Sequence, residues 1–189
     1  EHILAWGGLH GAKVKYNYTC KKDELLIMID VDQLYPTLMI KYKLLSRGIK
    51  DYKKFENILK ESLRLKFEKK KKEREPYKRI CNITYGCEGD VSNPMYDPLH
   101  RTLVCVFGQV LILDLIEKIE HISELIQSNT DGILIKIKRK DFELLDDIVY
   151  EWEQRTGLHM SFDFFKTIVQ KDVNNYIAID FNNNIKSKG

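Results

Sequence analysis

The stretch Glu24-Leu25-Leu26-Ile27-Met28-Ile29-Asp30-Val31 decides the fold. It is an apolar run of strand length, too short for a buried helix, and it leads into the acidic, turn-like Asp30-Val31-Asp32. It reads as a central strand. Outward from it the pattern changes. Tyr52 to Lys72 is rich in Lys, Glu and Leu, with Phe55, Ile58, Leu59, Leu63 and Phe67 at helical spacing, which predicts a long amphipathic helix. Pro76 suits the first turn of a second helix that runs to about Tyr85 and stops near Gly86. Cys87 to His100, with Asn93-Pro94 and Asp97-Pro98, reads as a loop, and Leu103 to Ile119 as a helix apolar on most sides.

Further along, Ser123 to Ser128 and Ile133 to Ile137 predict a β-hairpin with Asn129-Thr130-Asp131-Gly132 at its tip. Asp141 to Arg155 predicts an amphipathic helix capped by Asp141 and ended by Gly157; Met160 to Val169 and Asn175 to Asp180 predict strands. The expected class is α+β: an antiparallel sheet with helices on one face, close to a split βαβ pattern, interrupted by a helical hairpin. The expected organisation is a sheet domain over 1–48 and 91–189, with the hairpin insertion at 49–90.

The 189 residues, 43% of them apolar, bound the chain at one to two domains. No apolar run approaches the roughly 20 residues that span a bilayer, and no export signal is visible, so a soluble cytoplasmic protein with no membrane partner is expected. Cys20, Cys81, Cys87 and Cys105 form no C-x-x-C pair and read as reduced thiols. Net charge is +3, but Lys60 to Arg79 holds ten Lys/Arg against four Asp/Glu. That local +6 fits either a solvated helix face or a surface for phosphates, and the flanking residues must decide.

Asp30 at a strand end and Asp131 at a hairpin tip are each ordinary alone, since Asp favours turns. Brought together they would repel unless a cation sat with them, and Mg2+, a hard ion that keeps waters or phosphates in its other positions, is the natural occupant. Such a site suits phosphoryl transfer. The basic hairpin would supply cations: Lys78 and Asn82 share one helix face, with Tyr85 one turn beyond.

Three segments, in order, resemble family B DNA polymerases. Asp30-Val31-Asp32-Gln33-Leu34-Tyr35-Pro36-Thr37 is similar to the first palm motif, D-x-x-S-L-Y-P-S; Lys78 to Gly86 resembles the fingers motif, K-x-x-x-N-S-x-Y-G; and Asn129-Thr130-Asp131-Gly132 resembles D-T-D-S. Ala5-Trp6-Gly7-Gly8 looks like the Y-x-G-G element, and Lys171 to Tyr176 like the segment that holds the primer. A phage-type branch is the nearest in pattern, which implies a bacterial host cell as the location.

The resemblance implies a palm with attached fingers that extends a primer 3′-OH from a dNTP. Two Mg2+ ions would be held by Asp30, Asp131 and the backbone carbonyl of Val31. Lys78, Asn82, Tyr85 and either Arg64 or Lys66 would bind the nucleotide, and Tyr35 would gate against a ribose 2′-OH. Gly7, Gly8, Thr130, Lys171 and Tyr176 would contact the DNA primer-template. It also implies partner exonuclease and thumb domains in a longer parent, and a fragment unable by itself to extend a primer. Asn129, Gln33 and Ile83 depart from the motifs, Asn129 leaving one carboxylate in the third. The competing expectation is a non-catalytic nucleic-acid-binding module derived from such a palm.

Overall fold

The computed structural model describes residues 3–5 and 8–189, with side chains from residue 8 onward. The chain divides into two compact units, Glu1–Val31 with Gln109–Gly189, and Asp32–Gly108.

The first unit contains an antiparallel sheet of β1 (Ile3–Ala5), β2 (Gly8–Ala12), β3 (Tyr16–Thr19), β4 (Glu24–Val31), β5 (Ser123–Asn129), β6 (Gly132–Lys138), β7 (Met160–Asp172), β8 (Asn175–Asp180) and β9 (Ile185–Lys188). Their order is β1-β2-β5-β6-β4-β7-β8-β9, with β3 pairing on β7. The deciding stretch is β4, central as expected. Its alternate sets Leu25/Ile27/Ile29 and Leu26/Met28 point to opposite faces, and both sets are buried. Leu26 and Met28 join Ile126, Leu134, Phe165 and Ile168 in one cluster. Pairing with β6 runs from Glu24↔Lys138 to Asp30↔Gly132, and pairing with β7 from Leu26↔Phe165 to Val31↔Met160.

Helix α5 (Phe142–Thr156) buries Leu145, Val149 and Trp152, and the Trp152 indole N–H donates to the Leu111 carbonyl at 3.2 Å. Gly157 ends it at φ 63°. Asp141 stands at the N-cap but makes no capping hydrogen bond with its side chain; a 3-10 turn, Arg139–Asp141, leads in instead.

The second unit is helical, with α1 (Leu34–Lys41), α2 (Tyr52–Phe67), α3 (Lys71–Cys87) and the opening of α4 (Pro98–Ile119). Asp51 caps α2 by accepting from Lys54 N–H at 2.9 Å. The two-helix hairpin is present, but the break lies elsewhere than the sequence predicts. The chain reverses at residues 68–70, with Lys69 at φ 58°, and α3 already runs from Lys71. Pro76 therefore sits inside α3 past its first turn, where it forfeits the bond an N–H would make to the Lys72 carbonyl, and Gly86 is helical rather than a stop. Helix α4 begins at Pro98, five residues before the apolar run at Leu103, because Asp97 accepts from His100 N–H at 3.3 Å and so starts the helix early.

Asp97 is buried and held by a two-pronged ion pair with Arg47, both N···O distances 2.8 Å, which keeps its carboxyl well below the usual range. Glu88 is wholly buried; one oxygen accepts from Ser46 N–H at 2.7 Å and the other has no partner among the described residues. Burial pushes its pKa from 4.5 up to about 7. The folded state therefore holds this proton between the two values while the unfolded chain releases it. The stabilisation is present below pH 4.5 and lost as pH rises through about 7, an effect of roughly 3 kcal/mol. Urea midpoints at pH 5 and pH 8 should show Glu88→Gln gaining on the wild type as pH rises. A gap that does not change with pH would remove Glu88 as the cause.

Candidate functional site

In the first unit the site is built by the β4–β6 ladder. Asp30 lies opposite Gly132, and the next residue, Val31, donates its N–H to the Asp131 carbonyl at 2.7 Å. The ends of two neighbouring strands thus bring Asp30 and Asp131 to one place. The two-residue turn needs Thr130 at φ 60°, a strained setting for a β-branched residue. Gly132 is required by space: a Cβ there would stand 1.9 Å from Asp30 Oδ1 and 3.0 Å from the Ile29 carbonyl oxygen.

A polar cleft of about 170 Å³ is lined by Asp30, Asp131, Gln127, Asn129, Tyr176 and Lys186, among others. Burial raises the Tyr176 hydroxyl pKa, and the negative fields of Asp30, Asp163 and Asp131 add to this while Lys186 opposes it. Gln127 is buried, and its Nε2 donates to the Val173 carbonyl at 3.4 Å while its Oε1 has no partner among the described residues. Asn129 Nδ2 donates to the same carbonyl at 3.5 Å. Lys186 Nζ lies 3.8 Å from Asp30 Oδ2 and 3.0 Å from Asp163 Oδ2.

Two carboxylates and an orphaned amide oxygen make a set suited to a hard cation such as Mg2+, with the Met28 thioether also on the cleft wall. Among the described residues no group of three or more His, Cys, Asp and Glu gathers. Coordination positions beyond the two carboxylates would therefore fall to a backbone carbonyl, to water or to phosphate oxygens.

Of the residues expected to touch DNA, Gly7 lies outside the described residues. Gly8 and Thr130 come together: a Cβ on Gly8 would meet Thr130 Cα and Oγ1 at 2.9 Å, and Thr130 N–H donates to the Leu9 carbonyl at 3.0 Å. Tyr176 enters the cleft, whereas Lys171, exposed on β7, is not part of its lining.

In the second unit, the Tyr35 and Tyr85 rings lie tilted against each other at 33° with centroids 4.4 Å apart, and the Arg101 guanidinium lies 5.7 Å from the Tyr85 ring centre. Lys78 and Asn82 are exposed on α3. Arg64 is engaged by Glu61 and Glu68, and Lys66 by the buried carboxylate of Asp32. Asp32 belongs to this unit, and β4 ends at Val31.

Two cations escaped the reading of the sequence. Arg74 extends the α3 stripe one turn before Lys78, and its Nε is buried with no partner among the described residues; burial also lowers its pKa. The four-residue spacing to Lys78 was the available signal. Lys186 had none, because it reaches Asp30 through strand pairing.

No known protein-family profile matches the chain, and no curated protein matches it. Its fold is shared by solved structures. The family B DNA polymerase of the hyperthermophilic archaeon Pyrobaculum calidifontis superimposes on 92% of the chain with TM-score 0.65 at 17% identity. The chain spans 27% of that polymerase. The expected α+β, palm-like class is therefore the observed one, and among the described residues no helix is long and apolar enough to cross a membrane.

Gly132→Ala should push the Asp30 carboxylate aside and cost about 1 to 2 kcal/mol, read as a lower urea midpoint. Unchanged stability with an unmoved Asp30 in a crystal structure of the variant would show that the contact at this position is looser than described.

Proposed function

We propose that this chain carries the nucleotidyl-transfer centre of a template-directed DNA polymerase, adding deoxynucleotides to a primer 3′-OH with release of pyrophosphate. One observation carries the reading: the β4–β6 register brings Asp30 and Asp131 into a single polar cleft. The palm-like fold and the ordered motif segments support it, and the motif pattern favours a phage-type polymerase acting in a bacterial host cell. Two Mg2+ ions, held by Asp30, Asp131 and the Val31 carbonyl, would supply charge neutralisation at the reacting phosphate and lower the pKa of the attacking hydroxyl. Gln127, whose Oε1 is orphaned beside the carboxylates, is suited to orient a bound water.

The second unit has a separate task. Lys78 and Arg74 present positive charge toward triphosphate oxygens, and Asn82 and Tyr85 line the pocket for the base pair. Tyr35, held against Tyr85, blocks a 2′-OH by bulk. Because Arg64 and Lys66 are already paired with acids, α2 offers phosphate less than its charge count suggests. Gly8 and Thr130 brace the hairpin tip that would face the primer, and Lys171 would meet the DNA backbone. The chain spans about a quarter of the polymerase it resembles, so exonuclease and thumb functions, if part of this system, belong to further domains of a parent protein.

A second reading is favoured by Asn129, which leaves the third motif with one carboxylate. In it the chain is a non-catalytic nucleic-acid-binding module whose affinity falls steeply with salt and ignores the acidic cleft.

The deciding measurement is primer extension by the protein that carries this chain. Asp30→Asn and Asp131→Asn should each lower incorporation by about 10³-fold, roughly 4 kcal/mol of transition-state stabilisation, with DNA affinity kept. Equal incorporation by wild type and variants would establish the binding-module reading instead. In the same assay Tyr35→Ala should raise ribonucleotide incorporation relative to deoxynucleotide by about 100-fold, the scale on which pocket shape discriminates. An unchanged ratio would strip Tyr35 of the gating role.

A further inference from the structure

Lys186 holds a position in the first unit that the polymerase reading leaves unused. It lies on β9, paired with Ala178 of β8, yet its ammonium reaches the cleft. Its long side chain spans the sheet face beside the small Ala178, with Nζ 5.9 Å from the centre of the Phe165 ring and 3.2 Å from Met28 Sδ. There it meets two carboxylates, Asp163 at 3.0 Å and Asp30 at 3.8 Å. Asp163 faces Met28 across the β4–β7 ladder and is 57% exposed, whereas Asp30 is 36% exposed.

We propose that Lys186 is the resident counter-cation of the Asp30–Asp131 cleft, a positioning residue that competes with divalent ions for Asp30 and retires to Asp163 when one binds. This rests on the metal reading of Asp30 and Asp131.

Two like charges share a small cleft, so a cation there lowers their repulsion. A fixed ammonium supplies that while the cleft lacks metal, which spares the fold a bare carboxylate pair. The same ammonium then opposes an arriving divalent ion, because it stands within 4 Å of one of that ion's ligands. Asp163 solves the conflict: it already holds the ammonium at the shorter distance and leaves it a partner once Asp30 is taken. Its exposure lets the pair adjust in solvent without stranding a buried charge.

The test is Mn2+ binding to the full-length protein, read from the electron paramagnetic resonance signal of free Mn2+, with neither DNA nor nucleotide present. Lys186→Met keeps the length of the side chain and removes its charge, and should tighten Mn2+ binding about tenfold, the scale of one partly exposed charge close to a ligand. Asp163→Asn leaves the ammonium with Asp30 alone and should weaken binding several-fold. The double variant should match Lys186→Met, because Asp163 acts through the lysine. Lys186→Met binding no tighter than wild type would overturn the proposal, with Lys186→Gln and circular dichroism guarding against misfolding. So would a double variant weaker than Lys186→Met by the full Asp163→Asn factor, which would show that Asp163 attracts the ion directly. Asp30→Asn and Asp131→Asn should abolish binding. If they do not, the metal reading has failed first, and the competition falls with it.

Discussion

Two carboxylates repel, and the β4–β6 ladder holds them together regardless. The pairing from Glu24↔Lys138 to Asp30↔Gly132 is locked by side chains buried on both faces of β4. A slip of one residue would exchange those faces, so the strands cannot shift to part the charges. Strain is accepted at Thr130, and every group nearby accommodates the result. Gly132 gives up its side chain so that the Asp30 carboxylate fits, Tyr176 keeps its proton more firmly, and Lys186 crosses the sheet face to bring a positive charge. Two carboxylates and one ammonium thus share a cleft of about 170 Å³.

The helical unit solves an electrostatic problem of the opposite sign. Its basic block is not a uniform positive surface, because acids sort it. Lys60 pairs with Glu56, Arg64 with Glu61 and Glu68, Lys66 with Asp32, and Lys70 with Glu68. Exposed pairs of this kind contribute little stability one by one. Their consequence is selection, since cations already paired with acids have less to offer an anion, while Lys78 stays exposed on α3. The deeper acids have structural tasks: Asp97 starts α4 and clamps Arg47, and Glu88 closes on Ser46 at the end of α3.

Much of the fold could be read locally. The β4 run, the β5–β6 hairpin, the β7 and β8 strands and the stop of α5 at Gly157 follow from periodicity and turn chemistry that a short window contains. Helix α1 and strands β1, β2, β3 and β9 could not. Segments such as Tyr16–Thr19 and Ile185–Lys188 carry little pattern of their own and become strands because β7 and β8 offer them free edges. The break of the helical hairpin was misplaced for a related reason. Proline and glycine are strong punctuation in an isolated peptide, but Lys69 in a left-handed turn reverses the chain first and α3 runs through both.

The sequence by itself determined which residues are chemically able to act: an aspartate closing an apolar strand, another at a hairpin tip, and a lysine, an amide and a tyrosine on one helix stripe. These are local facts, written in spacing. Tertiary structure decided which of them share a cleft, which cations are already neutralised, and that a lysine from β9 stands beside Asp30. Such facts depend on register between strands far apart in the chain, and on burial, which sets how strongly each charge is felt. No window of sequence holds either.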